Sequence, residues 1–169
     1  MKKNTEKQGS ILYSKSNLNL NEKRVKYFEN SVGTTHDKIN SFTRFSSRQN
    51  IAKLIAQYKL IEMSENKLGD IIEAGIYYGS GLMGWANIIA SLEPYNYQCK
   101  IIGFDTFKGS TGVTKFDNNK SIKRREGEYK ADVFDDLKNS ISLFDQDRPL
   151  NHLAKVEIFH FFSILFCHF

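Results

Sequence analysis

The spacing of apolar and polar residues changes several times along the chain, and each change marks an element. Over residues 1–30 polar side chains interrupt the apolar ones too often for a firm period, so this stretch reads as a flexible lead with marginal helix. The pattern then sharpens. Ser46 or Ser47 can cap a helix in which Ile51, Leu54, Ile55 and Tyr58 fall on one face. That helix should end by Asn66–Gly69, since Gly69 suits the position after a helix. "DIIEAGI" follows as a short apolar strand. A second helix, from about Gly79 to Leu92, carries Leu82, Trp85, Ile89 and Leu92 on a common stripe, and Glu93-Pro94 stops it. "CKIIGFD" is too short for a helix and rich in isoleucine, as expected of a buried strand.

A loop runs from Thr106 to about Tyr129. Beyond it, Val133, Phe134, Leu137, Ile141 and Phe144 recur at helical spacing, and after Pro149 "KVEIF" reads as a third strand. Alternation of helix and apolar strand specifies an α/β fold with a parallel sheet and right-handed crossovers. About three strands are expected. From Ile158 to Phe169 no Asp, Glu, Lys or Arg occurs, while Phe159, Phe161, Phe162, Phe166 and Phe169 crowd the segment. It is too short for a membrane anchor and reads as strand plus abutting core.

Composition narrows the picture. A chain of 169 residues that is 40% apolar and 25% charged fits one soluble domain with a real core. The net charge of +5 is mild, and much of it lies in the polar lead between Lys2 and Lys26. A second basic cluster, Lys120, Lys123, Arg124 and Arg125, has no interleaved aromatic residues suited to base stacking. Both clusters read as solvated surface, so no nucleic-acid partner is expected. Cys99 and Cys167 form no C-x-x-C, and the histidines (His36, His152, His160, His168) share no metal-ligand spacing. The N-terminus has positive charge without an apolar h-region, and no stretch reaches membrane-spanning length. The cytoplasm is the expected compartment.

The chemistry concentrates in "IIEAGIYYGSGLMGWANIIASL", where two glycine patterns overlap. Gly79, Gly81 and Gly84 spell the G-x-G-x-x-G of a dinucleotide fold, and Asp105 follows about twenty residues later as its ribose-binding acid would. On that reading Glu73 lies mid-strand as a buried carboxylate, which is costly without a partner, and Gly75 weakens the strand. If the strand instead ends near Glu73, that acid stands at the carboxyl end, where ligands of open α/β sheets bind. Gly75 then lets the backbone turn close to a ligand, and Gly79 and Gly81 open the helix.

"GDIIEAGIYYGSG" followed by "IIGFDTFKG" resembles class I S-adenosylmethionine (SAM) dependent methyltransferases, most nearly the macrocin O-methyltransferase (TylF/MycF-like) group. That group shows an E-x-G-x-x-x-G loop after its first strand and a G-F-D-[ST]-F-x-G segment at its second. The resemblance runs from about Phe45 to Val156. It implies a Rossmann-like doubly wound parallel sheet and a cytoplasmic O-methyltransferase acting on a sugar, nucleotide sugar or sugar-bearing metabolite, as in polysaccharide biosynthesis. Glu73, Gly75 and Gly79, with Tyr77 and Ser80 in the same loop, would surround the amino-acid part of SAM. Asp105 would accept the ribose hydroxyls, and Thr106 and Phe107 would lie beside the adenosine. Tyr77 stands where the broader D-x-G-x-G-x-G pattern has its middle glycine. The group also uses a divalent metal, magnesium, with carboxylates on later strands; nothing after "KVEIFH" matches that continuation, so no metal ligand or catalytic base is named.

These readings divide the chain into a flexible, partly helical lead (1–44), the N-terminal half of a SAM-binding domain (45–157) and an aberrant apolar tail (158–169). The abrupt end suggests a truncated chain, poorly soluble and without methyl transfer, whose first strand lacks one neighbour and which can form a homo-oligomer. Two alternatives stay open: an NAD-dependent oxidoreductase or nucleotide-sugar epimerase half-domain using Gly79, Gly81 and Gly84, and a non-enzymatic module pairing through an apolar edge.

Overall fold

The computed structural model describes residues 15–64, 69–118 and 124–161. Its lead is more helical than the sequence pattern predicts. Helices α1 (Lys15–Asn30), α2 (Thr35–Asn40) and α3 (Phe42–Phe45) fill most of residues 15–45. Tertiary contacts supply what local periodicity lacks. The rings of Tyr27 and Phe28 pack on Phe45, and the Arg44 guanidinium donates to the Tyr27 hydroxyl at 2.7 and 3.0 Å. Thr34 and Asp37 cap α2 reciprocally, which ties down two otherwise unpaired N–H groups.

Helix α4 (Arg48–Met63) begins at Ser47, whose hydroxyl accepts the Asn50 N–H at 3.1 Å. It ends at Met63, before the predicted Asn66–Gly69; Asn66 lies outside the described residues. Its buried face also differs from the predicted one. Ile61 and Gln57 are buried, whereas Ile55 is exposed. The reason is a side-chain hydrogen bond: Gln57 Nε2 donates to the Gly81 carbonyl at 2.9 Å, so a polar residue takes a core position.

Strands β1 (Ile71–Ala74), β2 (Ile101–Asp105) and β3 (Val156–His160) form one parallel sheet in the order β1-β2-β3, with Ile71 beside Ile101 and Ile101 beside Val156. Helix α5 (Ser80–Leu92) connects the first pair. A loop with a 3₁₀ turn at Lys115–Asp117 and helix α6 (Phe134–Gln146) connect the second. This is the predicted order and strand direction. Leu82, Ala86 and Ile89 from α5, Leu137 and Ile141 from α6, and Ile101 and Val156 from the sheet make one core. Leu92, predicted for the buried stripe of α5, is exposed at the helix end.

Because strand side chains alternate, residues 71, 73, 101, 103, 156 and 158 share one face. That face meets the helices: a Cβ on Gly103 would touch Leu82. The opposite face carries Ile72, Phe104 and Phe159 and has no helix over it among the described residues. Ile72 is 67% exposed and Phe159 44%. As expected from "KVEIF", Ile158 and Phe159 are strand; β3 runs on to His160, and Phe161 N–H extends the ladder to the Asp105 carbonyl at 2.8 Å. Residues 162–169 lie outside the described residues.

Candidate functional site

Beyond Ala74 the backbone leaves the sheet through Gly75, which has φ +79° and whose added Cβ would meet nothing within 4 Å. Ile76 is buried beneath the turn. Gly79, at φ +78°, is the N-cap of α5. Strand β1 thus ends one residue after Glu73, and four residues separate it from Gly79.

Asp105 ends β2 and joins this turn to the next one. Its Oδ2 accepts the Tyr77 N–H at 2.8 Å and its Oδ1 accepts the Phe107 N–H at 2.7 Å. Each oxygen of a carboxylate has a second lone pair, so both can still accept from a ligand. Thr106 stabilises its own turn, donating from Oγ1 to the Gly109 carbonyl at 2.8 Å.

A cavity of about 720 Å³ opens where β1 and β2 end. Gly75, Tyr77, Asp105 and Thr106 line it, which brings half of the sequence-nominated residues together. The other half stand elsewhere. Phe107 is 3% exposed, its ring packed edge-on against Phe134 and His160 in the core, and it is not among the residues that line the cavity. Gly79 is buried under Leu137, and Ser80 starts α5 outside the wall. Glu73 also lies off the cavity, on the helix face of β1. An added Cβ on Gly81 would collide with its carboxylate, and Oε2 is buried without a hydrogen-bond partner. Burial pushes its pKa up, with Lys53 and a Trp85 hydrogen bond opposing.

Sequence reasoning missed the far wall. Ser110, Glu128 and Tyr129 come from the long loop, and Phe104 and Phe161 from the uncovered sheet face. Two glycines deliver the loop. Gly109 (φ +79°) and Gly127 (φ +70°) let Ser110 N–H reach the Glu128 carbonyl and Gly127 N–H reach the Ser110 carbonyl, each at 2.8 Å. Glycines at 109 and 127 were the only trace of this contact in the sequence. The Tyr129 ring faces Tyr77 edge-on at 6.3 Å. Arg124 extends over Tyr129, 5.8 Å from the ring centre, with its guanidinium 4.0 Å from the Glu128 carboxylate. Lys120 and Lys123 of the same basic cluster lie outside the described residues.

The cavity's chemistry follows from these walls. Aromatic rings and aliphatic carbons dominate, two carboxylates (Asp105 and Glu128) supply charge, and no Lys, Arg or His is among the described residues lining it. Such a site favours a flat, apolar, hydroxyl-bearing and cationic ligand over a polyanion. Gly81 and Gly84 face away: an added Cβ would meet Glu73 and Lys53 at the first and Leu54 and Gln57 at the second.

No protein-family profile matches the chain, and no curated protein matches it. Among solved structures, the calicheamicin methyltransferase CalS11 superposes with a TM-score of 0.79 at 20% identity, covering 94% of this chain and 64% of that one. The apo structure of CalS11, a TDP-rhamnose 3'-O-methyltransferase of calicheamicin biosynthesis, gives a TM-score of 0.69 at 23% identity, covering 88% and 57%. This chain therefore spans less than two thirds of the length of those chains. At such identities the likeness establishes the fold alone: three parallel strands of an open, Rossmann-like sheet with its helices.

Proposed function

We propose that the chain is the cofactor-binding part of a class I SAM-dependent O-methyltransferase of the TylF/MycF-like kind, acting on a hydroxyl of a sugar or sugar-bearing metabolite. The observation that carries this reading is the acidic, largely apolar cavity at the carboxyl ends of β1 and β2, with Asp105 in its wall. The residues present fit SAM. Asp105 retains a free lone pair on each oxygen for the vicinal ribose hydroxyls, Gly75 leaves its Cβ side open, and Tyr77 and Tyr129 offer faces for the purine. The sugar acceptor rests on the sequence resemblance and on the fold shared with CalS11.

Bound SAM supplies an electrophilic methyl group on a sulfonium. The chain's own contribution is to bind and orient it, since in-line transfer depends on positioning and on deprotonation of the acceptor hydroxyl. Asp105 also makes the cavity attractive to the sulfonium charge, whereas the Glu128 carboxylate is paired with Arg124. The magnesium that the resemblance implies finds no group of three or more ligating side chains among the described residues, and the roles proposed here do not involve it.

The dinucleotide alternative is disfavoured on two grounds. Its fingerprint needs the first glycine directly after the strand, whereas four residues intervene here. Its pyrophosphate would also approach Gly81, which is covered by Glu73. Calorimetric titration of the 169-residue chain with SAM, S-adenosylhomocysteine and NAD separates the readings. Binding of the adenosyl ligands without NAD is expected; binding of NAD alone would overturn the proposal.

A further inference from the structure

Two loops around the cavity hold backbone conformations that L-residues avoid. Tyr77 has φ +52° and Phe107 φ +53°, both left-handed and neither glycine nor asparagine. Such positions persist only where the surroundings over-determine them. Both residues donate their backbone N–H to the same group, Tyr77 to one carboxylate oxygen of Asp105 and Phe107 to the other. The two segments belong to different elements, the turn after β1 and the turn after β2, and Tyr77 and Asp105 are 28 residues apart in sequence.

We infer that Asp105 has a second role beside the ligand contact assigned to it above: it is a positioning residue that braces the turns after β1 and β2 in their left-handed conformations, setting the cavity's shape before any ligand arrives. The Phe107 ring packs in the core against Phe134 and His160, and the Tyr77 ring is half-buried, in edge contact with Tyr78 and Tyr129 at the cavity. The Asp105 carboxylate links the two turns by accepting one backbone N–H from each. Only an ionised aspartate offers two acceptors in this arrangement. An asparagine presents one acceptor and one donor, so one arm must open. The consequence for affinity rests on the SAM reading; the brace itself does not.

Two measurements test it. In the unliganded wild-type chain, NMR should detect through-hydrogen-bond couplings from the Tyr77 and Phe107 amide nitrogens to Asp105 Cγ. Absence of both would overturn the brace, whatever the protein binds. The second is a cycle of Asp105→Asn against S-adenosylhomocysteine and its 2',3'-dideoxy analogue. A residue that merely touches the ribose loses nothing on the analogue, which has no diol to hold. A brace makes Asp105→Asn weaken the analogue too, by about tenfold, the effect of one lost hydrogen bond to a charged group, together with faster exchange of the Tyr77 amide. Unchanged analogue affinity and unchanged exchange would overturn the inference. If no adenosyl ligand binds the wild type, the SAM reading fails, and the couplings and exchange still decide the brace. If Asp105→Asn does not fold, the wild-type couplings decide alone.

Discussion

At the scale of single residues, the loop wall and the carboxylate behind it make opposite demands on their neighbours. Gly109 and Gly112 both have left-handed φ, +79° and +67°, so alanine at either carries a conformational cost of roughly 1–2 kcal/mol. Their surroundings differ. A Cβ at Gly112 meets nothing within 4 Å, whereas at Gly109 it falls 2.5 Å from the Glu128 carbonyl oxygen and 2.7 Å from the Lys130 nitrogen, both backbone. Gly109→Ala should therefore detach the segment bearing Glu128 and Tyr129, with fast exchange of the Ser110 and Gly127 amides, while Gly112→Ala leaves them protected. Equal exchange in the two variants would refute that account. Glu73 gives a pH effect of definite sign. Burial raises its folded-state pKa above the ordinary 4.5, so the folded chain holds the proton more tightly than the unfolded one. Its contribution is full below 4.5 and is lost as pH rises through the raised value. Glu73→Gln should flatten that decline and be at least as stable as wild type at neutral pH. Urea melts from acid to neutral pH check this, and parallel pH profiles for the two proteins would count against it.

At the scale of elements, the crossing of α4 and α5 is where glycines mimic a nucleotide motif. Gly84 sits in a helix interior, where alanine normally stabilises by up to about 1 kcal/mol. Here its Cβ would lie 2.5 Å from Gln57 Oε1 and 3.2 Å from Leu54 Cδ2. Moving Gln57 aside breaks its 2.9 Å hydrogen bond to the Gly81 carbonyl. Gly84→Ala should thus destabilise the wild type, yet become neutral or stabilising once Gln57→Ala has removed the obstacle. The same sign in both backgrounds would show that the helices do not meet as described. This crossing also marks the limit of what the sequence makes legible. Strand positions, their parallel direction and the helices between them follow from short isoleucine-rich runs and 3.6-residue spacing, because the core imposes those periods directly. The turn after β1 is legible because Gly75 fits poorly within a strand; the place of Glu73 is not, since it lies inside β1 with its carboxylate on the helix face. Gln57 at a core position is not, because its burial depends on one carbonyl of another helix. Nor is the Glu128–Tyr129 wall, which depends on a contact between loop segments with no periodicity. The direction of the Phe107 ring is not legible either, because proximity in sequence to Asp105 does not fix which way a ring turns.

At the scale of the whole molecule, the two faces of the sheet are unequal, and this sets how the chain should behave in solution. All core-forming helices lie over the face bearing Ile101 and Val156. On the other face Phe104 stacks on Phe159 at 5.5 Å and Ile72 stands 67% exposed. On its outer side β1 has no partner strand among the described residues, and the Lys100–Glu157 ion pair is the charge that interrupts this surface. Parallel sheets are ordinarily covered on both faces, and an apolar strand with a free edge is a template for pairing with another chain. A single lysine on such an edge opposes association, because stacking copies would bury its charge. Ile72→Lys removes little packing from the folded chain, so its stability should change by no more than about 0.5 kcal/mol. Its soluble fraction should rise, and its mass by sedimentation should lose any dependence on concentration that the wild type shows. If Ile72→Lys instead lowers the melting temperature by many degrees, the side chain is covered in solution and the open face does not exist. If melting and association are both unchanged, contacts between copies form elsewhere, with the exposed side of α4 (Ile55, Leu60, Met63) the next surface to charge.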